Sequence, residues 1–101
     1  MSGTLNFSGD ICLARMLELA DDLRRAIGPE TRVTLDGSTF SAIDLAGMQL
    51  LLAAQRRAQS QGATLRVLVP RQGPLREALS RYGYQASAGS AVPPPFVEAA
   101  S

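Results

Sequence analysis

The chain has 101 residues, of which 46% are hydrophobic and 19% charged, with a formal charge of +1. That is one domain's worth of a globular composition, and the charge balance gives no one-signed field for nucleic acid or an anionic membrane surface. There is no His, no Lys, no Trp and a single Cys, which removes imidazole catalysis, His or multi-Cys metal sites, a P-loop lysine, a Schiff base and an internal disulfide.

All ten basic residues are arginine. What remains is carboxylate, hydroxyl, guanidinium and backbone chemistry, so neither a catalytic residue, a cofactor nor a metal site is expected. The start MSGTLNF lacks a basic segment followed by an apolar one, which predicts no signal peptide. The longest apolar-leaning stretch, residues 45–54, is about half the length a spanning helix needs. A cytoplasmic location with no direct membrane insertion follows as the expectation, and Cys12 reads as a small core residue.

Residues 4–8 (TLNFS) alternate Leu5 and Phe7 with polar neighbours, the period of a strand. Gly9-Asp10 reads as a turn, with Asp10 capping the next element. Leu13, Met16, Leu17, Ala20, Leu23 and Ile27 recur at spacings of three and four, which predicts one buried helix face. Arg15, Glu18, Asp21, Asp22 and Arg25 take the other face, and Gly28-Pro29 stops the helix. Residues 32–36 (RVTLD) form a second strand. The hydroxyl-rich loop at 37–43 follows, anchored by Phe40 and Ile43.

A second helix begins near Asp44. Its first half is apolar on nearly every side and therefore buried, while its second half, QRRAQSQ, is solvated and ends at Gly62. Residues 64–69 (TLRVLV) are a strand closed by Pro70. Pro74 opens a third helix with Leu75, Ala78, Leu79 and Tyr82 as its buried stripe and Gly83 as its stop. The order β-α-β-α-β-α predicts an α/β layer with parallel strand pairing. Residues 1–84 are expected to form the domain. Residues 85–101 are a Pro-bearing tail, flexible or docked through Phe96 and Val97.

In such sheets function gathers outside the carboxyl ends of the strands, here residues 36–47. A phosphate cradle is poorly matched, because Gly37 and Gly47 stand ten residues apart and no lysine is present. Asp36 and Asp44 as an acid–base pair lack a group to activate. The structural reading makes Asp44 the N-cap of a buried helix, Asp36 an Asx turn, and Gly47 a point of close helix–strand packing. A docking surface rimmed by Ser38, Thr39 and Ser41 adds to that reading, and a phosphate placed there would alter its charge by about two units.

Val33-Thr34-Leu35-Asp36, Phe40, Ile43-Asp44-Leu45-Ala46-Gly47-Met48 and Leu51-Leu52 together resemble the signature of STAS domains, the sulfate transporter and anti-sigma-factor antagonist modules. Gly62, the strand at 65–69, the helix at 75–83 and the opening Gly9-Asp10 extend the resemblance over residues 4–84. It implies a four- or five-stranded mixed sheet flanked by helices and a non-enzymatic role in partner switching. The implied partner-binding residues are Asp36, Ser38, Thr39, Ser41, Asp44, Leu45, Ala46, Gly47 and Met48. The implied partner is a kinase-like anti-sigma factor or a chemotaxis-type signalling protein. An alternative is the ATPase of a lipid-transport ABC complex, with the chain as its cytoplasmic subunit. In the family a Ser or Thr directly after the motif Asp is phosphorylated to turn binding off, where this chain has Leu45. Ser41, Thr39 and Ser38 are the remaining phosphorylation candidates. A homodimer is left open.

Overall fold

The computed structural model describes residues 2–85 and 91–99. The elements in order are β1 (Ser2–Leu5), β2 (Gly9–Ile11), α1 (Met16–Ala26, entered through a 3-10 turn at Leu13–Arg15), β3 (Arg32–Asp36), β4 (Phe40–Ile43), α2 (Leu45–Ser60), β5 (Thr64–Val69), α3 (Pro74–Arg81) and β6 (Phe96–Glu98). Among the described residues, β1, β3, β5 and β6 form a four-stranded sheet in that order, and β2 pairs with β4 in a small second sheet. Every pairing is parallel. The expected α/β architecture of a four-stranded sheet with helices is observed, but its pairings among the described residues are all parallel where a mixed sheet was implied.

Alternation sets which sheet face is buried. Val33 and Leu35 on β3, and Leu65, Val67 and Val69 on β5, point into a core shared with Leu19, Leu23, Met48, Leu51, Leu75 and Leu79. Arg32, Asp36, Thr64 and Arg66 alternate with them and are exposed. The period of two thus leaves one apolar face under the helices and one polar face free of them. The helices α2 and α3 stop by the same device. Gly62 and Gly83 take positive φ values of 66° and 81°. Behind them, the Ala63 and Tyr84 amides reach back to the Ala58 and Leu79 carbonyls at 2.8 Å, closing Schellman motifs.

Three local expectations change. The first strand is shifted towards the N-terminus, and Gly9-Asp10 is not a turn but the start of β2. Asp10 pairs with Ala42 there and caps nothing; the 3-10 turn after it has no side-chain cap. Its carbonyl and that of Ser8 instead receive the Arg15 guanidinium, each at 2.7 Å. The expected loop at 37–43 contains a 3-10 turn (Gly37–Thr39) and β4, because parallel pairing to β2 is available. The third concerns α1. Leu19, Leu23 and Ile27 are buried, whereas Leu13 and Leu17 are 69% and 90% exposed. The buried stripe is rotated from the expected one, because the sheet and α2 meet the helix on the Leu19 side.

In the segment 85–101, residues 86–90 and 100–101 lie outside the described residues. Beyond them β6 joins the sheet edge beside β5, with Phe96 buried. Arg76 of α3 ties that strand down. Its guanidinium donates to Glu98 Oε2 at 2.9 Å and to Glu98 Oε1, to Gln85 Oε1 at 3.1 Å, and through Nε to the Pro70 carbonyl at 3.1 Å. The Arg76 hydrogen bond holds the Glu98 carboxyl below its ordinary range. Replacing Arg76 with Ala is expected to loosen β6 together with the Pro70 and Gln85 segments that the same guanidinium holds. Amide exchange at Ala99, whose N–H bonds the Val69 carbonyl, should accelerate about tenfold, the ratio for about 1.4 kcal/mol. Exchange at Leu35 should stay unchanged.

Candidate functional site

The segment from Asp36 to Met48 is organised by two carboxylates. Asp36 ends β3, and its Oδ1 accepts the Ser38 amide at 3.0 Å and the Ser38 hydroxyl at 2.7 Å. This is an Asx turn, which starts the 3-10 turn after the strand. The backbone hydrogen bond from Ser38, followed by its hydroxyl, lowers the Asp36 pKa below the ordinary value. Thr39, exposed on the same turn, is held through its hydroxyl. Its hydroxyl lies within hydrogen-bond distance of two carbonyls, that of Asp36 at 2.9 Å and that of Phe7, and its one proton is shared between them.

Asp44 does two things at once. Oδ1 accepts the Gly47 amide at 2.8 Å, capping α2. Oδ2 accepts the Leu13 amide at 3.0 Å. The start of α2 is therefore tied to the entry of α1. The Asp44 amide adds a bond to the Ile11 carbonyl at 3.2 Å. Gly47 lies against that same carbonyl, and a Cβ built there would come within 2.2 Å of the Ile11 oxygen.

The nine residues of the expected surface are not equivalent. Asp36, Ser38, Thr39, Ser41 and Leu45 are exposed; Asp44 and Ala46 are half-buried. Gly47 and Met48 are buried, Met48 completely. They cannot touch a partner; they seat the first turn of α2 on β2 and the core. The three hydroxyls also differ. Thr39 is engaged by two carbonyls and Ser38 by Asp36. Ser41 has no hydrogen-bond partner among the described residues and edges a cleft of about 170 Å³ with Pro74, Glu77 and Arg81.

Sequence reasoning missed Leu13 and Leu17, which it assigned to the core. They and Leu45 are the exposed large hydrophobic residues among the described residues. The Asp44 carboxylate places Leu13 and Leu45 on either side of one hydrogen-bonded junction, and Leu17 follows Leu13 by about one helical turn. The signal was present in α1 as an excess of apolar positions. Met16, Leu19, Ala20, Leu23 and Ile27 complete a helical stripe without Leu13 or Leu17. Cys12, beside them, is half-buried and free. Among the described residues no cluster of three His, Cys, Asp or Glu could hold a metal ion, and no helix is long and apolar enough to cross a membrane.

A family model described as "Mlab, STAS domain" matches residues 1–88. The chain belongs to the STAS domain family. No curated protein matches it. STAS domains are generally non-enzymatic interaction modules, of anti-sigma-factor-antagonist-like or sulfate-transporter-like kind. This STAS domain carries the motif Asp at 44 as a helix cap and a hydrocarbon side chain, Leu45, directly after it.

Two variants test this geometry. Gly47→Ala should destabilise the domain by about 1–3 kcal/mol in urea unfolding, because the Ile11 backbone must move. Asp36 has a folded pKa below its unfolded one, so its stabilisation is present at neutral pH and is lost as pH falls through the folded value. Asp36→Asn should therefore lower the melting temperature at neutral pH. The difference from the parent chain should shrink as the solution is made acidic.

Proposed function

We propose that this STAS domain is a cytoplasmic protein-interaction module of bacterial signalling, of the anti-sigma-factor-antagonist type, that binds a kinase-type or other regulatory partner through the α1 entry and the first turn of α2. The exposure of Leu13, Leu17 and Leu45 around the Asp44 junction supports this reading most directly. A buried leucine contributes about 1.5–3 kcal/mol relative to an exposed one, so covering these side chains is a substantial driving force. The rim would come from Asp36, Ser38, Thr39, Ser41 and Ala46.

Binding of this kind would not be switched at position 45, since leucine offers no hydroxyl to phosphorylate. Ser41 is the best remaining candidate of the three, being exposed and free of hydrogen bonds among the described residues. A phosphate there would bring about two negative charges to the cleft that Arg81 lines.

A second reading draws on the same apolar surface. Permanent interfaces are more hydrophobic than transient ones, and three exposed leucines without a switch favour a fixed subunit contact. The partner would then be the ATPase of a lipid-transport ABC complex. The two readings part on the captured protein. Affinity capture from the parent lysate should retain a kinase-like or chemotaxis-type protein under the first and an ABC ATPase under the second. Leu17→Arg should abolish that capture while leaving the unfolding free energy within about 1 kcal/mol of the parent's. An unchanged set of captured proteins would remove the assigned surface.

A further inference from the structure

The sheet face opposite the helices carries a second feature that the reading above leaves unused. Three strands present polar side chains there in register. Thr4 on β1 pairs with Thr34 on β3, and Thr34 with Arg66 on β5. One row earlier, Arg32 on β3 pairs with Thr64 on β5. These residues line an open recess of about 660 Å³ together with Gly3.

The charge on this face is uncompensated. Arg15, Arg24, Arg25 and Arg76 each have a carboxylate within ion-pair distance. Arg32 and Arg66 have none among the described residues, and neither do Arg56, Arg57, Arg71 and Arg81, which do not line the recess. The nearest acid on the same face is Asp36 at the far end of β3, already engaged by Ser38. Glu30 precedes β3 in the loop. Two guanidiniums thus stand on one surface with no anion of their own.

We infer that this face binds an acidic, extended segment of a partner polypeptide. Arg32 and Arg66 are diagonal neighbours on adjacent strands. A strand spacing of about 4.8 Å and a two-residue rise of about 6.6 Å put their Cα atoms about 8 Å apart. Carboxylates on alternate residues of an extended chain lie roughly 7 Å apart on one face, so each meets one guanidinium in a forked hydrogen-bonded pair. The threonine hydroxyls between them donate to and accept from the segment's own backbone. An enclosed small-molecule site would bury its ligand in largely apolar walls; this recess is open and polar. A single-stranded nucleic acid would need aromatic platforms for its bases, and no aromatic residue lines the recess. The site shares no residue with the leucine surface, so either can fail without the other.

The test is fluorescence anisotropy of the full chain with a short labelled peptide alternating Glu and Thr, at low and at physiological salt. The chain is expected to bind it, more weakly as salt rises. The Arg32→Gln/Arg66→Gln variant should lose about tenfold or more in affinity, and each single variant part of that loss. Arg56→Gln/Arg57→Gln, on the solvated end of α2, should bind like the parent chain. No binding at low salt, an equal loss in the Arg56/Arg57 variant, or tighter binding of oligothymidylate or phosphatidylglycerol vesicles than of the peptide would each overturn the proposal.

Discussion

The Asp44 carboxylate closes the junction on which the rest of this domain is arranged. One oxygen satisfies an amide of the first turn of α2, and the other satisfies the Leu13 amide, thirty-one residues away. Both amides belong to helix starts that have no intrahelical acceptor. A single side chain thereby fixes the relative position of the two helices. Gly47 completes the arrangement by letting α2 press against the Ile11 carbonyl. Without that contact β2 would lose the helix that packs on it, and the small β2–β4 sheet would lose its support.

The same junction shapes the surface. With Asp44 held between the two helix starts, Leu45 and Leu13 emerge on its two sides and Leu17 extends the patch along α1. The hydroxyl-bearing turn at Ser38 and Thr39 is tied down separately, by Asp36 and the Phe7 carbonyl. A hydrocarbon at position 45 suits such a surface. It adds exposed apolar area and leaves no hydroxyl directly after the motif Asp.

A one-sided sheet is the second organising feature. The helices cover the Val33, Leu35, Leu65 and Val67 face, and the opposite face is polar along β1, β3 and β5 as far as Leu68, which lies beside Asp36. The strand β6 extends this sheet at one edge and is held by Arg76 through Glu98 and Gln85. The domain therefore offers two chemically distinct faces: leucines at the helix entries, and arginine with threonine on the strands.

Much of this could be read along the chain. Period-two stretches at 32–36 and 64–69, glycine stops at 62 and 83, and a capping aspartate three residues before Gly47 are local patterns, and local physics enforces them. The motif around Asp36 and Asp44 carried the family as well. Other features needed the packed molecule. Gly9–Ile11 is a strand only because Phe40–Ile43 lies beside it, and a parallel partner leaves no mark in either segment. Phe96–Glu98 is a strand because the β5 edge pairs with it and Arg76, from a different element, holds its end. The fate of Leu13 and Leu17 could not be read from α1, whose apolar residues fit two overlapping stripes. Helical spacing says that one face is apolar. Which face is covered depends on where α2 and the sheet stand, and hydrogen bonds between residues far apart in the chain set that.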